Sequence, residues 1–152
     1  MYSYEKSAYL IFKCVISYSI NKQYKIANIN RRYLSWQIMP KTNIGNEGRV
    51  ELHEKLSLTG AEISIDQLPA GASVPFVHSH KNNEEIYGIL SGKGKAVIDN
   101  ETIELTAGDW LRISPAAKRQ FFASQESDIT YVCIQVKENS LGGFTADDAV
   151  LH

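Results

Sequence analysis

The stretch GASVPFVHSHKNNEEIYGILSG, residues 71–92, decides the fold. His78 and His80 are one residue apart in an extended run, and alternation along a strand sends both imidazoles to the same face. The polar residues 81–84 predict a chain reversal, after which a second strand begins at Glu85. Residues opposite each other on paired strands lie about 4.5–5.5 Å apart at Cβ, so His78, His80 and Glu85 are predicted to converge. Two imidazoles and a carboxylate make a metal site by composition.

The spacing of these residues resembles the first conserved motif of the cupin superfamily. In that motif two histidines separated by one residue are followed by a glutamate and then by a turn glycine. Six residues separate Glu85 from Gly92, as the motif requires, so Glu85 rather than Glu84 is the matching position. The resemblance covers roughly residues 60–136 and implies an all-β, cupin-type double-stranded β-helix, or jelly-roll barrel, with a ligand cavity inside. It also implies a homodimer, and activities that range from dioxygenases and isomerases to plain ligand binders.

A second stretch, GDWLRISPAAKRQFF at residues 108–122, resembles the second cupin motif. The last ligand of that motif is a histidine, and this sequence has Arg119 at the matching place. Three interpretations follow: Arg119 forms an ion pair with Glu85, or clamps a small anionic ligand, or turns outward. We favour the anion clamp and the outward-turned arginine. A one-residue register slip would instead aim Gln120 inward as a weak fourth ligand.

The predicted site is therefore a two-histidine, one-carboxylate set that leaves coordination positions open for water or substrate. The expected ion is a divalent transition metal, Fe, Mn, Ni, Zn or Cu, which the sequence does not rank. Arg119 works against a metal, since a guanidinium cannot ligate a cation, so a metal-free site is the other expectation. Arg119, Tyr87 and Gln120 are the predicted substrate-binding residues.

Two functions from different classes follow from this site. The first is a metal-binding cupin that acts on, or senses, a small polar or anionic molecule, for example as a dioxygenase or an isomerase. The second is a non-catalytic binding or sensing module without a complete metal site. A metal-free sugar epimerase or isomerase-like barrel that uses histidine as a base is a third reading.

Length and composition fit one globular domain. The chain has 152 residues, 43% of them hydrophobic, and a net charge of −1, which indicates neither nucleic-acid nor membrane binding. Its two cysteines, Cys14 and Cys133, form no CxxC pair, so a reducing, cytoplasmic setting is expected, with Cys133 as a small buried hydrophobe.

Residues 1–38 differ from the rest because they hold six basic residues and a single acidic one. No apolar run here is long enough to span a membrane, and no convincing signal-peptide cleavage site follows the apolar stretch. We predict an N-terminal extension over 1–38, which is either an arm that packs on the barrel or on a partner, or a translated region upstream of a natural start at Met39. The barrel then covers 39–140, and residues 141–152 form a C-terminal tail.

Alternation and turn residues predict about eight short strands and no helix. The predicted strands cover residues 49–58, 61–68, 85–90, 95–98, 101–105, 110–113, 119–123 and 129–136. Asp99-Asn100 predicts a two-residue hairpin, and Ser91–Gly94 predicts a tight connection. Trp110, Phe121, Phe122 and Phe76 are expected in the core or the pocket wall.

Overall fold

The computed structural model describes residues 39–142 and 148–152, and residues 42–152 belong to one compact unit. The elements are β1 (Arg49–Glu51), α1 (His53–Leu56), β2 (Glu62–Leu68), β3 (Asn83–Ile98), β4 (Glu101–Thr106), β5 (Trp110–Ile113), β6 (Arg119–Ala123) and β7 (Ile129–Lys137). The strand pairings among the described residues are antiparallel. The predicted all-β class is confirmed.

Strand β3 joins two sheets. Its first half pairs with β7 on one side and β5 on the other, and β7 continues through β2 to β1. Its second half pairs with β4 and β6. A register shift between Ile89 and Ser91 marks a bulge, where a strand bends and twists more strongly. The bulge lets one 16-residue strand serve both sheets.

The core lies where alternate residues of β3, β6 and β7 meet. On β3 the inward residues are Glu85, Tyr87 and Ile89, as the period of two predicts. On β6 and β7 the inward residues are Arg119, Phe121 and Ala123, and Ile129, Tyr131 and Cys133. The prediction that Cys133 is buried is confirmed. Tyr87, Phe121 and Tyr131 form one aromatic cluster, with ring centroids 4.3–5.7 Å apart.

The observed bounds of the later strands agree closely with the predicted bounds. Strands β5 and β6 begin and end where predicted, and β7 extends one residue further. The predicted hairpin is confirmed, with Ile98 opposite Glu101 and positive φ at both Asp99 and Asn100. Positive φ at both central residues is the requirement of the type I′ turn that suits a two-residue loop.

Two predicted elements are wrong. The strand predicted over 49–58 ends at Glu51, and a short helix follows at His53–Leu56 until Ser57 takes left-handed φ and ψ angles. The connection predicted at Ser91–Gly94 is continuous strand. Its glycines allow close approach rather than a turn, because a Cβ on Gly92 would lie 1.9 Å from the Asp128 carbonyl oxygen and one on Gly94 would lie 2.2 Å from that of Phe122.

The aromatic residues divide differently from the prediction. Phe121 is buried, but Trp110 is 61% exposed and Phe76 is also exposed, so their assignment to the core is wrong. The Trp110 ring instead covers Gly88, where an added Cβ would lie 2.5 Å from the ring. Since Gly88 faces away from the core, Trp110 packs on the outside of the sheet.

The predicted domain division has two terminal parts. The predicted extension, residues 1–38, lies outside the described residues. In the tail, the described residues 141–142 and 148–152 are exposed and belong to no strand. Among the described residues, no helix is long and apolar enough to cross a membrane.

Gly92→Ala should destabilise the protein strongly, because Gly92 combines a φ of +79° with the backbone contact to Asp128. We expect a loss of more than about 3 kcal/mol in the free energy of unfolding, measured by urea denaturation. Gly108→Ala isolates the conformational part, since its φ is +96° with no described atom within 4 Å of the added Cβ, and should cost about 1–2 kcal/mol. Equal losses for the two variants would contradict the role of the close approach.

Candidate functional site

The centre of the site is the carboxylate of Glu85. In the ladders of β3, Glu85 lies opposite Gln135 of β7 and Ile113 of β5, and it is only 4% exposed. Removing a carboxylate from water costs several kcal/mol unless charged or hydrogen-bonding partners replace the water. The partners of its two oxygens therefore determine what this site can do.

Arg119 and Tyr87 hold the Oε2 oxygen. Arg119 donates from Nε to Oε2 at 2.9 Å, and Tyr87 donates from its hydroxyl at 2.7 Å. The Arg119 Nη2 atom lies 2.8 Å from Oε2, close enough for an ion pair, but its angles do not make a hydrogen bond. Arg119 also donates from Nη1 to the carbonyl of Ala117 and is completely buried. The buried charges of Glu85 and Arg119 therefore neutralise each other.

The hydrogen bonds and charges around Glu85 favour its ionised form. Burial alone would raise the pKa of Glu85, but the Tyr87 hydrogen bond and the charges of Arg119 and His80 outweigh it, so the pKa is lowered. Burial, together with the neighbouring Cys133 and Glu85, raises the pKa of Tyr87 far above its ordinary value. Tyr87 is thus a neutral donor whose single proton is directed at Glu85, which makes it a positioning residue for the carboxylate.

The Oε1 oxygen faces a different set of groups. His80 Nε2 lies 2.9 Å from Oε1, Gln135 Nε2 lies 3.4 Å from it, and the thiol of Cys133 lies 3.6 Å away. Burial and the Glu85 charge raise the pKa of Cys133 to about 12, so the thiol stays protonated and is a weak donor. The two oxygens of Glu85 therefore face different groups: Oε2 faces Arg119 and Tyr87, and Oε1 faces His80, Gln135 and Cys133.

The histidines come from an irregular extended segment. His78 makes a single antiparallel bridge to Arg119, with backbone N–H to carbonyl distances of 3.2 and 2.9 Å. The imidazoles of His78 and His80 lie edge to face, with centroids 5.4 Å apart. Burial lowers the pKa of His78, against the opposing charge of Glu85, which favours the neutral imidazole that binds metals. Its buried Nδ1 has no hydrogen-bond partner among the described residues.

The structure brings His78, His80 and Glu85 together, with one ligand atom from each inside a group no wider than 4.8 Å. The predicted route is wrong, however, because the segment of His78 pairs with β6 rather than with the strand of Glu85. Strand β6, which begins at Arg119, brings that residue to Glu85 as well. The loop between His80 and Glu85 only returns the chain into β3.

The structure distinguishes among the interpretations of Arg119. The outward-turned arginine is wrong, since Arg119 is buried and pairs with Glu85, which was the first of the three alternatives. The register slip is also wrong. Gln120 lies on the other face of β6 and donates from its amide to the carbonyl of Val74, so the structure does not bring it to this site.

Gln135 lies in the site but was not among the predicted site residues. Its amide nitrogen lies 2.9 Å from Nε2 and 3.1 Å from Nδ1 of His80, in addition to its contact with Glu85. Alternation along ITYVCIQV could have identified it. If Cys133 faces inward, Gln135 two residues later faces the same side.

His78, His80 and Glu85 fit a divalent ion. Ligand bonds of about 2.0–2.2 Å place two ligand atoms at most about 4.4 Å apart, so the observed group needs to contract only slightly. The unpartnered Nδ1 of His78 and the Oε1 side of Glu85 supply donors, while Arg119 remains on the Oε2 side. The three side chains could therefore bind the ion, with Arg119 and Tyr87 orienting the carboxylate from behind.

Arg119→Met should destabilise the protein by about 3–5 kcal/mol, because it leaves the buried carboxylate of Glu85 without its countercharge. Urea denaturation at neutral pH measures the loss. Arg112→Met is the matched control, since Arg112 bridges Glu84 and Glu138 at the surface and its side chain is half exposed. A loss no larger than that of the control would mean that the buried pair does not stabilise the fold.

Comparison with known proteins agrees with this architecture. The chain is 61% identical to a cupin protein of Bacteroides fragilis, whose crystal structure superposes with a TM-score of 0.72 over 75% of this chain and 97% of that chain. A Klebsiella pneumoniae protein with a double-stranded β-helix domain is 17% identical, with a TM-score of 0.53 over 66% of this chain and 85% of that chain. That likeness shows the fold alone.

Sequence comparison gives the same family. An uncharacterized protein of Methanocaldococcus jannaschii is 42% identical over 48 residues, which are 32% of this chain and 38% of that protein. The chain thus matches little more than a third of that curated relative. The cupin domain family matches residues 64–135, a range that includes His78, His80, Glu85, Arg119 and Gln135. The chain belongs to the cupin family and has its double-stranded β-helix fold.

Proposed function

We propose that this cupin binds one divalent transition metal through His78, His80 and Glu85 and takes a small polar or anionic molecule beside it. The observation that carries this proposal is the 4.8 Å cluster of ligand atoms on a carboxylate whose far oxygen is already held by Arg119 and Tyr87. A two-histidine, one-carboxylate set suits Fe, Mn, Ni, Zn or Cu and leaves positions for substrate. When bound, such an ion polarises a carbonyl or enolate or binds oxygen, which corresponds to isomerase or dioxygenase chemistry.

The charges of the site favour an anionic ligand. Arg119 already neutralises Glu85, and imidazoles bind metals in their neutral form, so the charge of a bound cation is left for the ligand to balance. Arg119 also has a buried Nη2 with no hydrogen-bond partner among the described residues. The same atom lies 2.8 Å from Glu85 Oε2, so a carboxylate or phosphate oxygen would bind Arg119 beside Glu85 and share the guanidinium with it.

A metal-free binding module is the second candidate, and the Arg119–Glu85 ion pair favours it. In this case the guanidinium takes over the neutralisation of Glu85 that a metal ion would otherwise provide. The module would bind a small anion through the remaining N–H groups of Arg119 and through the histidines. It would need neither a transition metal nor a catalytic step.

The assembly and the location of the protein are part of the same proposal. Leu90 and Trp110 are exposed on the outer face of β3 and β5, which supports the homodimer expected from the family resemblance. Light scattering after size-exclusion chromatography would measure the mass. The cysteine content supports a cytoplasmic protein, as expected from the sequence.

Metal content tests the first candidate. Protein purified without chelator should carry close to one equivalent of a transition metal by elemental analysis, and His80→Ala should lose most of it because one imidazole ligand is gone. His53→Ala is the matched control, since His53 lies at the surface beside Glu62. A wild-type protein that binds no divalent ion, even after equilibration with Mn²⁺, Ni²⁺ or Zn²⁺, would contradict the metal site.

Arg119→His separates the two candidates. It replaces a cation with a ligand at the place where the second cupin motif has histidine, so divalent-metal affinity should rise by about tenfold or more by isothermal titration calorimetry. In a metal-free module, thermal shifts with small dicarboxylates would appear in wild-type protein without metal and vanish in the variant. Unchanged metal affinity in a folded variant would mean that the side chain at 119 does not face the metal, and it would contradict the equivalence of this position with the histidine of the second cupin motif.

A further inference from the structure

The position of Gln135 is set by the ladders on both sides of β7. Gln135 lies opposite Glu85 of β3 and opposite Glu62 of β2. It continues the inward-facing row formed by Ile129, Tyr131 and Cys133. Because three strands fix its backbone, its amide is held beside the carboxylate of Glu85 rather than reaching it from a loop.

The contacts of its amide are close but poorly directed. Its Nε2 lies 2.9 and 3.1 Å from the two ring nitrogens of His80. A neutral imidazole accepts at only one of its two nitrogens, since the other carries a proton, so the amide N–H groups of Gln135 cannot bond to both. His80 Nε2 also lies 2.9 Å from Glu85 Oε1, and the amide's own contact with that oxygen is 3.4 Å long. A terminal amide thus fits here without a well-aligned acceptor of its own.

The amide lies on the side of Glu85 where a cation would bind. Arg119 and Tyr87 occupy Oε2, whereas Gln135 and His80 surround Oε1. A half-turn of the amide exchanges its nitrogen and oxygen, and this would present Oε1 of Gln135 to the same space as the His80 and Glu85 ligand atoms. Amide oxygens are accepted ligands of divalent ions, and a neutral one adds no charge beside Arg119.

We propose that Gln135, on β7, supplies the fourth protein ligand of the metal through its amide oxygen, in place of the histidine that Arg119 replaces in the second cupin motif. This inference rests on the proposed metal site. In the absence of metal the same amide, turned the other way, directs its N–H groups towards Glu85 and His80 and fills the space between them. The added oxygen donor shifts the site towards the harder ions, in particular Mn²⁺, relative to a site with a third histidine.

Gln135→Met tests the assignment, because methionine keeps the length of the side chain and removes the oxygen. After treatment with chelator, titration calorimetry with Mn²⁺ should show at least about tenfold weaker binding than in wild-type protein, which is the lower end of what partners outside the first ligands contribute. Gln120→Met is the matched control, since its amide lies on the other face of β6. Visible spectra of the Co²⁺ forms report the ligand change independently.

Gln135→Glu covers the case in which Gln135→Met does not fold. The glutamate retains an oxygen at the same reach, so the folded variant should bind Mn²⁺ at least as tightly as wild-type protein. Wild-type affinity in a folded Gln135→Met, or loss of binding in a folded Gln135→Glu, would overturn the role of Gln135 while leaving the three-residue site intact. Wild-type protein that binds none of Mn²⁺, Ni²⁺ and Zn²⁺ would overturn the proposed metal site, and the fourth ligand with it.

Discussion

A buried carboxylate needs a countercharge, and this requirement connects the elements of the barrel. Glu85 lies on the strand common to both sheets, and its ion-pair partner Arg119 begins β6. The backbone of Arg119 in turn bridges to His78, so one residue links the charge of the site to the position of a candidate ligand. The hydrogen bond from Tyr87 then anchors the carboxylate to the aromatic cluster. Site and core are therefore built on the same side chains.

The aromatic cluster also makes the two sides of the site different. Tyr87 stacks on Phe121, and both contact Tyr131, which makes the side of the site behind Glu85 apolar and tightly packed. On the other side His78 and His80 are only partly buried. The histidines are therefore the accessible members of the site, whereas Arg119 is completely buried.

The sequence predicts the parts of this site that depend on local spacing. His78, His80 and Glu85 are separated by a few residues, and alternation in β3 orients Tyr87 and Ile89 correctly. The orientation of Arg119 was harder, because a shift of one residue in β6 would exchange it with Gln120, and the register is fixed by contacts with distant strands. The glycines at 92 and 94 look like a turn in the sequence, since the carbonyls that require them belong to Asp128 and Phe122, far along the chain. Gln135 was within reach of the same alternation argument but has no motif to draw attention to it.

Arg119 does not by itself decide between a metal site and a metal-free site. A carboxylate has two oxygens, and the guanidinium and the tyrosine hydroxyl occupy only one of them. If a guanidinium had simply replaced the ion, it would be expected on Oε1, the oxygen beside His80. It lies instead on the opposite oxygen, where it fixes the orientation of the carboxylate, offsets its charge and leaves Oε1 to His80 and Gln135. Glu85 is thus arranged as a metal ligand whose carboxylate is held in place by Arg119 and Tyr87. A cation in the barrel is therefore compatible with the loss of the usual histidine, provided that a neutral donor replaces that histidine.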